Sequence, residues 1–269
     1  ASEKCFTELE PTEEVIRSII SSGKVAHADE TGLRIEGRLQ WLHTASNNLF
    51  TYFFVHKKRG KEAIESEKSI LPNLRGWLVH DAWSSYFGLN NYQHAMCGAH
   101  ILRELQGLMD SGQSKWAKTF KSFLMNVYEM PFDQRLKYKA NILSRYKLIC
   151  ELGEKIEPPP KKEPGKRGRP KRTKGRNLVE RLIKYQDAVL AFAFNDEVPF
   201  TNNLAERDIR PTKIKQKISN SFRSFKGAEY YARIEGFIST ARKNNKNIFN
   251  EIYSTFEGYN FITQLEAAK

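Results

Sequence analysis

The chain has 269 residues, of which 40% are hydrophobic and 28% charged, which is typical of a globular protein with a sizeable core and excludes a disordered tail. The formal net charge is +13, which favours a polyanionic partner. No stretch approaches the roughly 18 consecutive apolar residues of a membrane-spanning helix, so we expect no membrane partner.

The first hundred residues predict a β-sheet. Short apolar, aromatic or β-branched runs indicate strands at residues 25–29, 39–44, 49–55, 76–81 and 93–97. The first run is followed by Thr31 and Gly32, which indicate a turn. A polar turn separates the second and third runs, so we expect those two strands to pair. Apolar residues at helical spacing over residues 101–109 then predict a helix.

The rest of the chain predicts helices. Apolar stripes at helical spacing mark residues 116–128, 132–150, 178–192, 231–241 and 248–256. A helix over residues 203–207 is expected to end near Pro211. The Pro, Gly and basic residues of 158–176 predict a surface arm or linker.

These elements together predict an α/β core interrupted by an all-helical insertion. We place the first part of the core at residues 1–111, the insertion with its basic arm at 112–198, and the closing helices of the core at 199–269.

The positive charge is concentrated in two segments. Residues 158–176 contain nine Lys or Arg and one Glu, a net +8, and residues 201–227 contain seven Lys or Arg and two acids, a net +5. Such clusters are typical of proteins that bind the phosphates of a nucleic acid. Two solvated loops are the alternative interpretation.

Two acidic residues stand at the ends of predicted strands. Asp29 ends the first run and Asp81 ends the fourth, and side chains at strand ends converge in α/β sheets. With Glu206 from a helix, they could hold two Mg²⁺ ions roughly 4 Å apart, the arrangement that cleaves phosphodiesters. Alternatively, the aspartates are turn residues and Glu206 complements its helix dipole.

Four long motifs occur in a fixed order. They are HADETG at residues 27–32, HDAWSSYF at 80–87, CGAHILREL at 97–105 and PFTNNLAERDIRP at 199–211, followed by KIKQKIS, SFRS and STARK between residues 213 and 243. This series resembles the DDE transposases of the insertion-sequence 66 family, over roughly residues 25–256.

The resemblance implies a ribonuclease H-like mixed sheet flanked by helices, with Asp29, Asp81 and Glu206 as catalytic acids and metal ligands. It implies Mg²⁺ as cofactor, with Mn²⁺ as substitute. The activity would be hydrolysis of phosphodiesters at transposon ends, followed by strand transfer of the 3′-hydroxyl into target DNA. The partner is double-stranded DNA, and a homodimer or larger assembly would handle two ends together.

Further residues are candidates for accessory roles. The resemblance favours His100 or Arg103 facing the scissile phosphate, whereas a helix histidine bonded to backbone is the alternative. Residues 167–170, RGRP, resemble the core of an AT-hook. The candidate DNA-binding residues are Arg207, Arg210, Lys213, Lys215, Lys217, Arg223, Arg167, Arg169, Lys171, Arg172, Lys174 and Arg176.

Two other functions stay open at this stage. One is a non-catalytic DNA-binding remnant, and the other is a structure-specific nuclease of the same fold. The three widely spaced cysteines favour a reducing compartment, the bacterial cytoplasm with its nucleoid. Family members are expected to carry a zinc-binding and DNA-recognition part ahead of the core. None is present before Val25, so we expect a catalytic fragment.

Overall fold

The computed structural model describes residues 1–112, 115–160 and 170–267. The chain forms two compact units, which we call the core unit (Ala1–His94 with Asn202–Lys269) and the helical unit (Ala95–Thr201). The division of the sequence at residues 111 and 199 stays a prediction.

The first part of the chain contains the strands. Its elements are α1 (Ser2–Glu8), α2 (Glu10–Ser22), β1 (Val25–Ile35), β2 (Arg38–Ser46), β3 (Thr51–His56), α3 (Lys61–Ile64), β4 (Trp77–His80) and β5 (Gln93–Met96), with short 3-10 turns at Leu71–Asn73 and Tyr86–Gly88. The middle is helical, with α4 (Gly98–Asp110), α5 (Lys115–Glu129), α6 (Phe132–Lys137), α7 (Lys139–Ile156), α8 (Lys174–Lys184), α9 (Gln186–Val189) and α10 (Ala191–Phe194). The closing helices are α11 (Asn203–Ser219), α12 (Phe225–Lys243), α13 (Ile248–Phe256) and α14 (Phe261–Ala267).

The strands form one mixed sheet in the order β3-β2-β1-β4-β5. β1, β2 and β3 pair antiparallel, whereas β4 runs parallel to β1. The predicted mixed α/β class, with helices flanking the sheet, is therefore confirmed.

The predicted turn at Thr31 and Gly32 is wrong. β1 continues through both residues and pairs with β2 as far as Ile35 opposite Arg38. The turn is made by Glu36 and Gly37, whose φ angles of 52° and 73° suit a two-residue hairpin between twisted strands.

Each face of β1 contributes to a different apolar core, because side chains alternate along a strand. Leu33 and Ile35 pack with Ile209 of α11 and with α12. Ala26 and Ala28 belong to the core on the other face, with Leu78 of β4. His27 and Asp29 therefore project from the face of β1 on which α11 packs.

The predicted end of the helix near Pro211 is also wrong, since α11 continues to Ser219 with Pro211 inside it. A proline removes one backbone hydrogen bond from a helix but does not prevent packing on either side of it. Ile209 and Thr212 are both fully buried, and the Thr212 hydroxyl lies 3.2 Å from the Tyr231 hydroxyl of α12. These tertiary contacts keep the helix continuous.

The helical unit packs around aromatic side chains. Trp116 and Phe120 of α5 are fully buried, and Tyr146 of α7 donates a hydrogen bond to the carbonyl of Leu182 in α8 at 2.8 Å. Among the described residues, no helix combines the length and apolar character needed to cross a bilayer.

Candidate active site

Asp29 and Asp81 lie near each other where β4 ends. The parallel pairing of β1 with β4 ends at His27 opposite Val79, two residues before each of the two acids. The negative charge of Asp81 contributes to the raised pKa of Asp29, so the two carboxylates are close enough to interact. Both are half-buried, Asp29 inside β1 and Asp81 directly after β4.

Backbone amides hold both aspartates. One Asp29 carboxylate oxygen accepts a hydrogen bond from the Glu30 N–H at 2.9 Å, and one Asp81 oxygen accepts the Trp83 N–H at 2.9 Å. The second contact closes the turn after β4, which fixes the direction in which Asp81 leaves the strand.

The pKa of Asp29 is raised from 3.8 to about 7, chiefly by burial and then by the negative charges of Glu30 and Asp81. The Glu30 N–H and the positive charge of Lys213 act in the opposite direction. A divalent cation would stabilise the ionised form of a carboxylate in such an environment.

Glu206 lies in the first turn of α11, and the start of this helix is attached to β1. The Asn202 side chain donates to the Ala28 carbonyl at 2.8 Å and accepts a hydrogen bond from His27 Nδ1 at 2.9 Å. The Glu206 N–H donates to the Asn202 carbonyl at 3.3 Å. The first turn of α11 is thus attached to β1 next to Asp29. The carboxylate oxygens of Asp29, Asp81 and Glu206 do not, however, all lie within 4.8 Å of one another.

His27 is neutral in this arrangement. Burial lowers the pKa of His27 to about 4, so at neutral pH one ring nitrogen carries a proton and can donate it to Asn202. His27 therefore serves as a structural hydrogen-bond donor at the start of α11.

A buried ion pair, which the sequence analysis missed, holds the same helix. Lys243 Nζ lies 2.7 Å from Asp208, and both side chains are at most 10% exposed. Asp208 also accepts a hydrogen bond from the Thr51 hydroxyl at 3.3 Å. Lys243 additionally donates to the Asn47 carbonyl at 2.9 Å. The network joins α11, two residues beyond Glu206, to α12 and to β3.

Glu30 was also missed, because it adjoins Asp29 in the sequence but points to the opposite face of β1. Arg59 Nε and Nη2 lie 2.8 and 2.6 Å from one Glu30 oxygen, and the Tyr86 hydroxyl donates to the other. The Arg59 guanidinium carbon lies 4.3 Å from the ring centroid of Trp83. Since the Trp83 amide binds Asp81, the cluster supports the turn after β4.

Most of the predicted cations of α11 face solvent. Arg210, Lys213 and Lys217 are exposed and recur at helical spacing, so they form one basic row. Arg207 of the same helix is exposed, and so is Arg223, which follows the end of α11. Lys215 is half-buried. The Lys215 ammonium lies 5.1 Å from the Tyr231 ring centroid.

The basic arm is described only in part. Arg167 and Arg169 lie outside the described residues, whereas Lys171 and Lys174 are exposed. The remaining two arginines form ion pairs: Arg172 contacts Glu180, and Arg176 contacts Glu180 at 2.7 Å and Glu154 at 3.3 Å. Binding of DNA by these residues stays a prediction.

His100 and Arg103 lie in α4 of the helical unit, where His100 is half-buried and Arg103 exposed. Their predicted accessory role stays a prediction. Both side chains line a cavity of that unit, which is described below.

We predict that Asp29→Asn stabilises the protein at pH 8 in EDTA. In the unfolded chain the Asp29 carboxyl group loses its proton near pH 3.8, whereas in the folded protein it keeps the proton up to about pH 7. The cost that this carboxyl group adds to folding therefore grows between these two pH values and reaches its full size above pH 7. Asparagine removes the ionisable group. Partial exposure to water reduces the effect, so we expect about 1–2 kcal/mol in the free energy of unfolding.

Urea unfolding at pH 8 and pH 4 measures this difference. The gain should shrink at pH 4, and the matched variant Asp196→Asn, at an exposed aspartate, should change stability by less than about 0.5 kcal/mol at either pH. An equal gain for Asp29→Asn at both pH values would contradict a buried carboxylate with a raised pKa.

The sheet and its acids define a class of protein. It is a mixed α/β protein with one acid inside β1, a second directly after the parallel strand β4, and a row of cations on the adjoining helix α11.

Comparison with known families identifies the protein more closely. The family model described as Transposase IS66 family matches residues 1–230. The match covers most of the chain, which therefore belongs to the IS66 transposase family, and the resemblance drawn from its motifs is confirmed. A search of curated proteins gives no match. Membership implies a transposase, an enzyme that binds and cuts DNA.

Proposed function

We propose that this protein is the catalytic domain of a DDE transposase. It hydrolyses phosphodiesters at transposon ends and transfers the freed 3′-hydroxyl into target DNA, with Asp29, Asp81 and Glu206 as the ligands of two divalent cations. The observation that supports this proposal is the parallel pairing of β1 with β4, which runs to the residues just before Asp29 and Asp81, together with the attachment of the start of α11 to β1.

The order of the sheet supports a ribonuclease H-like core. A meander of three antiparallel strands is followed by β4 on the other side of β1, and the acids come from β1, from the end of β4 and from a later helix. This is the sequence of elements that the motif resemblance implies for Asp29, Asp81 and Glu206.

The donor set suits Mg²⁺ or Mn²⁺. All three side chains offer carboxylate oxygens, the ligands that these hard cations prefer. The pKa of Asp29 is raised chiefly by burial and also by neighbouring negative charges, and a bound cation would favour its ionised form. When bound, two such ions supply Lewis-acid activation of the attacking oxygen and stabilise the leaving oxygen of an in-line displacement.

The residues of the chain then have separate tasks. Asp29 and Asp81 must be ionised to bind cations. The Trp83 N–H holds the Asp81 carboxylate, and Asn202 attaches the helix turn that carries Glu206 to β1. Arg210, Lys213 and Lys217 bind DNA phosphates along α11 and so align the scissile strand. No side chain is needed as a covalent nucleophile, because the attacking groups are a water molecule and the 3′-hydroxyl.

Compartment and assembly extend the same proposal. Cys5, Cys97 and Cys150 are buried and not joined in disulfides, which agrees with a reducing compartment and hence with action on the bacterial nucleoid. We expect a homodimer or larger assembly on DNA, since two transposon ends must react together.

Incubation of the purified protein with supercoiled and linear DNA tests the activity. We expect nicking that needs Mg²⁺ or Mn²⁺ and stops in EDTA, with joined products when target DNA is supplied. Salt-sensitive binding without cation-dependent nicking would leave only a DNA-binding remnant. Cleavage of branched DNA without joined products would indicate a structure-specific nuclease.

A further inference from the structure

The helical unit contains a cavity of about 510 Å³ between α4 and α8. Its volume falls within the roughly 300–1,000 Å³ of typical small-ligand sites. The lining residues are His100, Arg103, Glu104, Gly107, Leu108, Lys174, Asn177, Leu178 and Arg181.

The lining combines apolar and cationic groups. Leu108 and Leu178 are buried and give the cavity an apolar wall. Arg103 and Lys174 are exposed cations at the same cavity, and Asn177 adds an amide that can both donate and accept. The cavity therefore suits a ligand with a negative charge and a flat apolar part.

An ion pair joins the two helices of the cavity. Arg181 Nη2 of α8 lies 2.5 Å from a Glu104 carboxylate oxygen of α4. The lining has the cations Arg103, Lys174 and Arg181 and the acid Glu104, so its formal charge is positive.

Gly107 leaves the backbone of α4 uncovered at the cavity. It lies inside α4, where glycine costs about 1 kcal/mol relative to alanine. A Cβ built at Gly107 meets no described atom within 4 Å, so packing within the described chain does not require glycine there. At Gly98, by contrast, a Cβ would come within 2.1 Å of Phe200.

A bare backbone beside an open cavity permits close approach of a planar group. Gly107 has no side chain, so the helix backbone is uncovered where it lines the cavity together with Arg103 and Leu108. The helix thus exposes a flat surface next to cationic and apolar walls.

We propose that this cavity binds one unpaired nucleotide of the substrate DNA. The base lies over Gly107 between Leu108 and Leu178, with its polar edge toward Asn177, and its phosphate contacts Arg103 and Lys174. Single-strand binding generally combines cations for the phosphates with flat surfaces for the bases, most often aromatic side chains. Here Leu108 and Leu178 supply the apolar surface. The proposal rests on the proposed function, because it takes the substrate to be DNA, but it concerns binding and not cleavage.

Fluorescence anisotropy in EDTA tests this proposal without any cleavage. The probes are a labelled duplex with a short single-stranded tail and the same duplex with blunt ends. The wild-type protein should bind the tailed duplex about tenfold more tightly, which is the contribution of one stacked base. Gly107→Leu, which places a branched side chain where the base would lie, should abolish this preference and leave binding of the blunt duplex within about twofold.

Gly107→Ala is the matched control, since it adds one methyl group and leaves most of the cavity open. It should keep the preference for the tailed duplex, and both variants should melt no lower than the wild type, because both residues favour a helix more than glycine does. Persistence of the preference in Gly107→Leu would overturn the proposal. An equal loss for both probes in Gly107→Leu would also overturn it, because the cavity would then contact duplex phosphates. Equal binding of both probes by the wild-type protein would overturn it as well, because the single-stranded tail would then contribute nothing. If the wild-type protein does not nick DNA in the presence of Mg²⁺ or Mn²⁺, that result would instead count against the proposed function.

Discussion

Asp81→Asn is expected to lower Mg²⁺-dependent DNA nicking by about 10³-fold or more, while DNA retention stays within about twofold. Metal ions contribute several kcal/mol to the stabilisation of a transition state, and each 1.36 kcal/mol corresponds to a factor of ten in rate. The amide keeps the size of the side chain and its ability to accept the Trp83 N–H, so the turn after β4 should be preserved.

Asp29→Asn and Glu206→Gln should give losses of the same order, because the three carboxylates act as one unit and their effects are not additive. The matched control is Asp196→Asn, at an exposed aspartate of the helical unit, which should nick like the wild type. DNA retention is measured on the same preparations by gel shift in EDTA. Nicking that survives the triple substitution of the acids would defeat the assignment.

Lys243→Met is expected to lower the free energy of unfolding by about 3–5 kcal/mol, because it leaves the buried carboxylate of Asp208 without its cation. Asp208 is 7% exposed as a residue, so water cannot replace the ammonium group effectively. Urea unfolding at pH 7 measures this loss. The double variant Asp208→Asn with Lys243→Met should recover much of the stability, since no uncompensated charge remains.

Arg242→Met is the matched control one residue away. Arg242 is 55% exposed and lies 3.5 Å from Glu235, so its loss should change stability by less than about 1 kcal/mol. Below the melting temperature, Lys243→Met should also nick more slowly, because the ion pair holds α11 two residues beyond Glu206. Equal destabilisation by the two substitutions would contradict a buried, structure-defining pair.

Much of the sheet could be predicted from local sequence. The aromatic and β-branched run at residues 49–55 corresponds to β3, and the apolar run that precedes Asp81 corresponds to β4. The full length of β1 could not, because Thr31 and Gly32 have turn propensity but are held in the ladder by pairing with β2. Pro211 likewise led to a wrong prediction of the end of α11. The burial of Ile209 and Thr212 outweighs the backbone hydrogen bond that the proline removes.

The acids of the candidate site were found from their positions and from the motif resemblance, whereas their supports were not. Asp208 and Lys243 are 35 residues apart, and nothing local indicates that they pair. Glu30 looks like a solvent-exposed neighbour of Asp29 until strand alternation turns it toward Arg59. Such contacts depend on tertiary structure, which a single sequence does not display.

A crystal structure of the protein soaked in Mn²⁺, with anomalous scattering recorded at the manganese edge, tests the central claim most directly. We expect two peaks roughly 3.5–4 Å apart, with oxygens of Asp29, Asp81 and Glu206 at about 2.0–2.3 Å from the manganese positions. Manganese bound elsewhere, with Glu206 turned away from both aspartates in a protein that still nicks DNA, would contradict the account.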